Sequence, residues 1–414
     1  MNKETFCSAP WTQIRIDWDG KFRPCCVIQP DASEFTGKKN YSIHDSSLDE
    51  FMTSDYLQYL RQSLGSGVPV AECQSCWARE KHNIFSLRQV TNNTVTHNQG
   101  HKIEKTWIKS LVNKSKDYRD YKIVSADIKL SNTCNFSCVM CEPTASSRIY
   151  SKWKSQQSLF FVQEKLKRNP GYFSDITATF QSQRGYQHLQ DIIQSGCMYL
   201  KLLGGEPLLD QTLFQILTNV PEDRKKNLSL HFVTNGSYNL IEATQRLSNY
   251  KEITFTVSLE GINDMQDYAR NGSDWSFIET NILNAINLGI QIKVSHTLQA
   301  LTILHLDQLM AWCKQHDISL FFTLLTEPLF LGLAVLPDHI KNKVLQKLQT
   351  VQNISINDVE NTDTNVQLDL RKLLISNCFD SELHKKFMDY IHWYERDSNL
   401  KLQNICPEFY QLDR

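Results

Sequence analysis

Cys134, Cys138 and Cys141 stand in the run SNTCNFSCVMCEP at C-x3-C-x2-C spacing. Thiolates are the ligands of iron–sulfur clusters, and four of them close a [4Fe–4S] cubane. Three in one short loop leave an iron with an open coordination position, which is how a metal site does chemistry instead of only holding a fold together. Leu203-Gly204-Gly205-Glu206-Pro207 follows on the next apolar strand. Neither glycine carries a Cβ, so the backbone there can approach a ligand closely. Taken alone, GGEP is an ordinary turn sequence; after a cysteine loop and a strand it is a candidate binding element.

A second group of thiols lies near the N-terminus: Cys7, the neighbours Cys25 and Cys26, and the C-x2-C pair Cys73 and Cys76. Four thiolates ending in C-x2-C can close a [4Fe–4S] cluster, and the same set can close a structural zinc site. Cys25 and Cys26 cannot both face one site from extended backbone, where successive side chains alternate. Cys406, in NICPEF, is a distant reserve ligand. Cys197, Cys313 and Cys378 read as buried small hydrophobes.

The elements that must position these groups follow from hydrophobic periodicity. Short β-branched runs at Ile123–Leu130, Met198–Leu203, Leu228–Val233, Ile253–Leu259, Ile290–Thr297 and Ile318–Leu325 alternate with amphipathic stretches such as LDQTLFQILTNV. Strand–helix alternation implies βαβ units and a parallel sheet, either a partial (β/α)6 barrel or a doubly wound open sheet. Cys134, GGEP, Thr234-Asn235-Gly236 and Ser258-Leu259-Glu260-Gly261 each follow a strand. Parallel β/α folds build their sites at those carboxyl ends, and this placement favours the barrel. The expected division is a cysteine-rich module over 1–90, a basic linker helix over 91–122, the barrel over 123–326 with a helical insertion at 142–197, and a mostly helical region over 327–414.

With these residues in place the chain resembles the radical S-adenosylmethionine (SAM) superfamily over roughly 200 residues, Ile123 to Leu325. The resemblance implies that Cys134, Cys138 and Cys141 ligate a [4Fe–4S] cluster whose fourth iron is chelated by SAM. Met140 stands where the family usually has an aromatic residue near adenine. Gly204, Gly205 and Glu206 would receive the methionyl ammonium, Ser258 a ribose hydroxyl, and Arg270 the SAM carboxylate, a group suited to a planar two-pronged donor. The pattern Cys7-x12-Gly20-x4-Cys25 resembles the opening of twitch and SPASM auxiliary-cluster domains, here placed before the barrel instead of after it. That pattern selects Cys25, with Cys73, Cys76 and Cys7, and keeps Cys26 in reserve. The implied activity is reductive cleavage of SAM to a 5′-deoxyadenosyl radical that abstracts a hydrogen atom from a substrate. A second cluster would assist.

Composition narrows the partners. A formal net charge of −1 argues against an electrostatically driven nucleic-acid or membrane binder. The stretch HKIEKTWIKSLVNKSKDYRDYK has seven Lys or Arg against three acids and reads as a solvated helix face. The opening MNKETFCSAPW lacks an apolar signal region, and no uncharged apolar run reaches the roughly 18 residues that span a bilayer. The expectation is a cytoplasmic protein with reduced thiols. Its implied partners are a flavodoxin- or ferredoxin-type electron donor and a peptide, protein or small-molecule substrate. An RNA-modifying radical SAM enzyme and a non-catalytic iron–sulfur or zinc protein are the alternatives. His296 and Glu327 fall near strand ends, where they could be acid–base groups or only line a pocket; the catalytic residues are left unassigned.

Overall fold

The computed structural model describes residues 5–29, 35–37, 40–81, 86–97, 119–180, 182–325, 327–348 and 370–411. Most of the basic stretch expected to form a linker helix lies outside the described residues. In chain order the strands are β1 (Gln13–Ile16), β2 (Phe22–Arg23), β3 (Ser125–Lys129), β4 (Ser137–Cys138), β5 (Tyr199–Leu203), β6 (Ser229–Thr234), β7 (Glu252–Ser258), β8 (Arg270–Asn271), β9 (Gln291–Leu298) and β10 (Ser319–Leu324). The fold is mixed α/β with mostly parallel pairing. All six strands expected from periodicity are present, with ends within two residues of expectation. The chain divides into two compact units.

The first unit comprises Met1–Thr133, Trp153–Phe232 and Leu247–Ile253. β3 pairs in parallel with β5, from Ser125↔Tyr199 to Lys129↔Leu203, and β5 with β6, from Tyr199↔Ser229 to Leu202↔Phe232. Ala126, Ile128, Leu200 and Leu202 alternate into the core, as a period of two demands. The N-terminal segment adds to this sheet. β1 runs parallel to β3, from Gln13↔Ser125 to Ile16↔Ile128, and forms a hairpin with β2. Gly20, at φ +69°, lets the hairpin turn, with its N–H bonded to the Asp17 carbonyl at 2.9 Å. Trp18 and Phe22 then pack on Tyr172 and His188 of the insertion, at ring separations of 5.5 and 5.1 Å. The strand at the N-terminus was not foreseen: four residues, QIRI, carry too little pattern to distinguish from a loop. Between β4 and β5 helices cover Ser147–Ser155, Phe160–Arg168, Tyr172–Phe180 and Arg184–Gln194.

The second unit comprises Cys134–Lys152, Val233–Arg246 and Thr254–Arg414. β7 pairs in parallel with β9, from Thr254↔Gln291 to Ser258↔Ser295, and β9 with β10, from Lys293↔Ser319 to Leu298↔Leu324. Helices Trp275–Asn287 and Leu306–Gln315 follow β8 and β9. Beyond β10 the described residues are helical, with the longest element at Ser381–Tyr394. Cys197 and Cys313 are buried as expected, but Cys378 is exposed. It lies in the turn between Ser376, the end of one helix, and Asp380, the N-cap of the next, where a side chain can face solvent. Among the described residues no helix is long and apolar enough to cross a membrane.

Candidate functional site

The cysteine loop of the second unit is a built structure. Phe136 donates its N–H to Cys134 Sγ at 3.4 Å, and Asn235, just past β6, donates from Nδ2 to the same sulfur at 3.7 Å. Asn235 also donates to Asn135 Oδ1 at 2.9 Å, which ties the end of β6 to the loop. β4 and β8 pair antiparallel, with Cys138 directly opposite Arg270 and Ser137 opposite Asn271. From below, Tyr390 of the C-terminal helix donates its hydroxyl to the Val139 carbonyl at 2.8 Å. The Cys138 thiol hydrogen-bonds to Cys141. That bond holds Cys141 below the usual thiol range and Cys138 well above it, and the nearby Arg270 charge favours thiolate at both. Met140 lies half-buried in this loop.

Arg270 is buried, and its position follows from the β4–β8 register. Its Nη1 points at Cys138 Sγ, 3.7 Å away, and its Nη2 donates to Glu260 Oε1 at 2.7 Å. The Nε N–H of Arg270 is buried without an acceptor. Glu260 is fully buried; its Oε2 accepts the Thr297 N–H at 3.2 Å, and its own N–H goes to Gln266 Oε1 at 2.7 Å. His296 sits 3.6 Å from Glu260 Oε2 with Nδ1 on the Leu259 carbonyl at 3.1 Å. Burial holds its pKa below the usual histidine value. It has no exposed surface to present to a pocket, and Glu327, three residues past the end of β10, is exposed. Ser258, half-buried, closes β7 in register with Ser295.

In the first unit, GGEP packs against the segment Ser131–Thr133. Gly205 N–H donates to the Ser131 carbonyl at 2.9 Å, and Glu206 N–H to that of Thr133 at 2.7 Å. A Cβ on Gly204 would lie 2.5 Å from the Ser131 oxygen, and one on Gly205 2.3 Å from that of Thr133. The glycines are therefore required by backbone packing, a reason additional to ligand approach. Glu206 is buried, and its Oε1 caps the turn Pro207–Leu209 by accepting the Leu208 N–H at 3.1 Å. A small pocket in this unit is lined by Ser131, Gly204, Gly205, Glu206 and Asp210 over an aliphatic floor.

The N-terminal thiols also converge within the first unit. Cys7 precedes the turn into β1, Cys25 follows β2, Cys73 ends the turn Ala71–Cys73, and Cys76 lies in helix Gln74–Lys81. Each pair among Cys7, Cys25, Cys73 and Cys76 is close enough to interact electrostatically, and burial pushes all four thiols up. Cys26 is exposed instead, with Asp127, Arg15 and Lys201 for charged neighbours. Beside Cys73, Glu72 is fully buried with neither carboxylate oxygen partnered. Such a concentration of acidic donors is stable only around a positive centre or in its protonated form. Among the described residues no three His, Cys, Asp or Glu side chains close on a single ion; cluster ligands bind different irons and stand further apart. Cys406, in the second unit, is buried with Glu408, Lys343 and Lys347 for charged neighbours.

The strand-end runs expected from the sequence contain Asn235 and Glu260 but gave neither a role, and Asn135, Gln266 and Tyr390 were not singled out. Glu260 carried a signal, since it sits in the same SLEG run as Ser258. Tyr390 carried none, being 251 positions from its partner.

Residues 128–312 match the model of the radical SAM superfamily, and residues 7–77 match that of an iron–sulfur cluster-binding domain, SPASM, which here comes first. A protein of Methanococcus vannielii named "Probable GTP 3′,8-cyclase" is 30% identical over 124 residues, covering 30% of this chain and 41% of that protein. Its namesake in Methanocaldococcus jannaschii is 23% identical over 201 residues, 48% of this chain and 58% of that one. The chain thus spans about half the length of these curated relatives. Among solved structures, Streptococcus suis SuiB gives a TM-score of 0.37 at 14% identity, over 97% of this chain and 74% of that one. The structure described as native anSMEcpe with bound AdoMet gives 0.36 at 18% identity, over 55% and 60%.

Proposed function

We propose, from a chain that carries a SPASM domain at 7–77 ahead of a radical SAM domain at 128–312, that this protein is a radical SAM enzyme with an auxiliary iron–sulfur cluster. In this reading Cys134, Cys138 and Cys141 hold a [4Fe–4S] cluster, and Met140, Gly204, Gly205, Glu206, Ser258 and Arg270 hold SAM. Cys7, Cys25, Cys73 and Cys76 hold the second cluster. The working division is the N-terminal module over 1–90, a linker over 91–122, the barrel over 123–326 and a helical region over 327–414. When bound and reduced, the cofactors supply a 5′-deoxyadenosyl radical that takes a hydrogen atom from the substrate.

The observation that carries this reading is Arg270. The β4–β8 register sets a buried cation against Cys138, where it offsets anionic thiolates, and its Nε N–H still lacks an acceptor. A carboxylate is the acceptor that such a donor suits. Glu260 fixes the guanidinium plane from the other side. Phe136 and Asn235 donate to Cys134 and so favour its thiolate. At the N-terminal site, the mutual approach of four thiols supports Cys25 over Cys26.

The substrate class is a peptide, a protein or a small metabolite, and the electron donor is a flavodoxin or ferredoxin type. GTP enters only through the name of the relatives, and is the first small molecule to test. Protein reconstituted anaerobically with iron and sulfide, then given dithionite and SAM, should release 5′-deoxyadenosine. Replacing Cys134, Cys138 and Cys141 by Ala should abolish release. Normal release from that triple variant would overturn the assignment; GTP and peptide libraries then test the substrate by the rise in release each provokes.

A further inference from the structure

Helix Leu87–His97 carries Arg88 and Asn92, four residues apart and so on one face. Arg88 Nη1 donates to the Phe6 carbonyl at 2.8 Å, and Asn92 Nδ2 donates to the same oxygen at 2.9 Å. Asn92 Oδ1 accepts the Ser8 N–H at 2.8 Å. The backbone on both sides of Cys7 is therefore gripped by two side chains of one helix. The Arg88 guanidinium also forks onto Glu80, with Nε to Oε1 at 2.9 Å and Nη2 to Oε2. Glu80 belongs to helix Gln74–Lys81, which carries Cys76 directly after Cys73. The guanidinium lies over the Trp77 ring of that helix, 5.0 Å from its centre, and the residue is buried. One side chain thus joins two of the chain segments that deliver thiols.

We propose that Arg88 is the positioning residue of the N-terminal iron–sulfur site: it locks the Cys7 segment to the Cys73–Cys76 turn, and its fixed positive charge raises the cluster's reduction potential. This rests on the reading that the site holds a cluster. Its charge favours thiolate at Cys7 and Cys73, in surroundings that otherwise gather acidic groups, Glu72 among them; at Cys76 the paired Glu80 carboxylate opposes it more strongly, and there the Arg88 backbone N–H on the sulfur supplies the favourable contact. A cluster with four thiolates is anionic and gains a further negative charge on reduction. A buried cation therefore favours the reduced state, since net charge and hydrogen bonding to the sulfurs set cluster potentials. The fork onto Glu80 and the Trp77 contact hold the guanidinium's orientation, which a lysine could not reproduce.

The test uses the full chain with Cys134, Cys138 and Cys141 replaced by Ala, so that only the N-terminal site reports. Iron and sulfide per chain measure retention, and an anaerobic redox titration followed by electron paramagnetic resonance gives the midpoint potential. Arg88→Gln should lower the ratio of reduced to oxidised cluster at a fixed potential about tenfold, which is about 59 mV for one electron. Arg88→Lys should restore most of the potential while losing cluster more readily. Asn92→Ala should lose cluster and leave the potential where it was. An unchanged midpoint in Arg88→Gln beside a lowered melting temperature would reduce Arg88 to an ordinary buried ion pair and overturn the proposal. Should Arg88→Gln not fold, Arg88→Lys and Asn92→Ala decide: equal retention of cluster in both and the parent overturns it. If the parent binds no iron, or binds zinc, the cluster reading itself fails, and that outcome is distinct from the others.

Discussion

Arg270 Nη2 and Glu260 Oε1 stand 2.7 Å apart with their side chains 10% and 0% exposed, so no bulk water screens the pair. Removing one partner of a buried pair leaves an uncompensated charge, which typically destabilises by about 3–5 kcal/mol. Glu260→Ala and Arg270→Ala should each lose stability on that scale in denaturant melts. The double variant should lose well under the sum, because coupled neighbours are not additive. Additive losses would show that the two side chains do not act as a pair.

Glu206 has a capping bond and a proposed ligand, and two substitutions separate them. Glu206→Ala removes the acceptor for the Leu208 N–H and should destabilise by about 0.5–2 kcal/mol, the usual worth of a cap. Glu206→Gln keeps a carbonyl oxygen for that N–H and should leave the melting curve nearly unmoved. Both should weaken SAM binding by roughly ten- to a hundredfold, since a hydrogen bond to a charged group is worth about 1.5–3 kcal/mol. Calorimetric titration with SAM beside the melts is decisive: unchanged affinity in Glu206→Gln makes the residue a cap alone.

Seven ligands in two groups correspond to about eight iron and eight sulfide per chain. Cys25→Ser should bring the reconstituted protein to about half of that, and Cys26→Ser should not. The reverse result would mean that the segment following β2 turns over when the site is loaded.

Burial lowers the pKa of His296 in the second unit and of His188 in the first. In the unfolded chain each titrates near 6.5. Above that pH both states are neutral and stability is flat. Below it the unfolded chain takes up a proton that the folded one refuses, so stability falls as pH drops from about 6.5 toward the folded pKa. Urea melts between pH 7.5 and pH 5.5 (roughly one unit either side of that unfolded value) should show this decline. His296→Gln should show a shallower one; an identical slope would place the proton uptake elsewhere.

Much of this protein was legible in its sequence. C-x3-C-x2-C, GGEP and six apolar runs are local patterns, and a local pattern dictates local structure: a loop of thiols, a tight glycine turn, strands of alternating burial. The placement of each motif after a strand followed from order along the chain alone. What lay beyond reach was long-range. That Arg270 faces Cys138 depends on the antiparallel pairing of two short strands, β4 and β8, too brief to leave a periodic trace. Its partner Glu260 was in view as a residue but not as a counter-ion, because ion pairing depends on where side chains end and not on spacing. The choice between Cys25 and Cys26 was suggested by a motif, and the structure separates their surroundings: backbone direction past β2 turns one thiol toward Cys7, Cys73 and Cys76 and the other toward solvent and Asp127. Arg88, Asn92 and Glu80 are ordinary helix residues by type. Only the packing of helix Leu87–His97 against the Cys7 segment makes them a clamp, because hydrogen bonds across 82 and 86 positions leave no trace in local spacing.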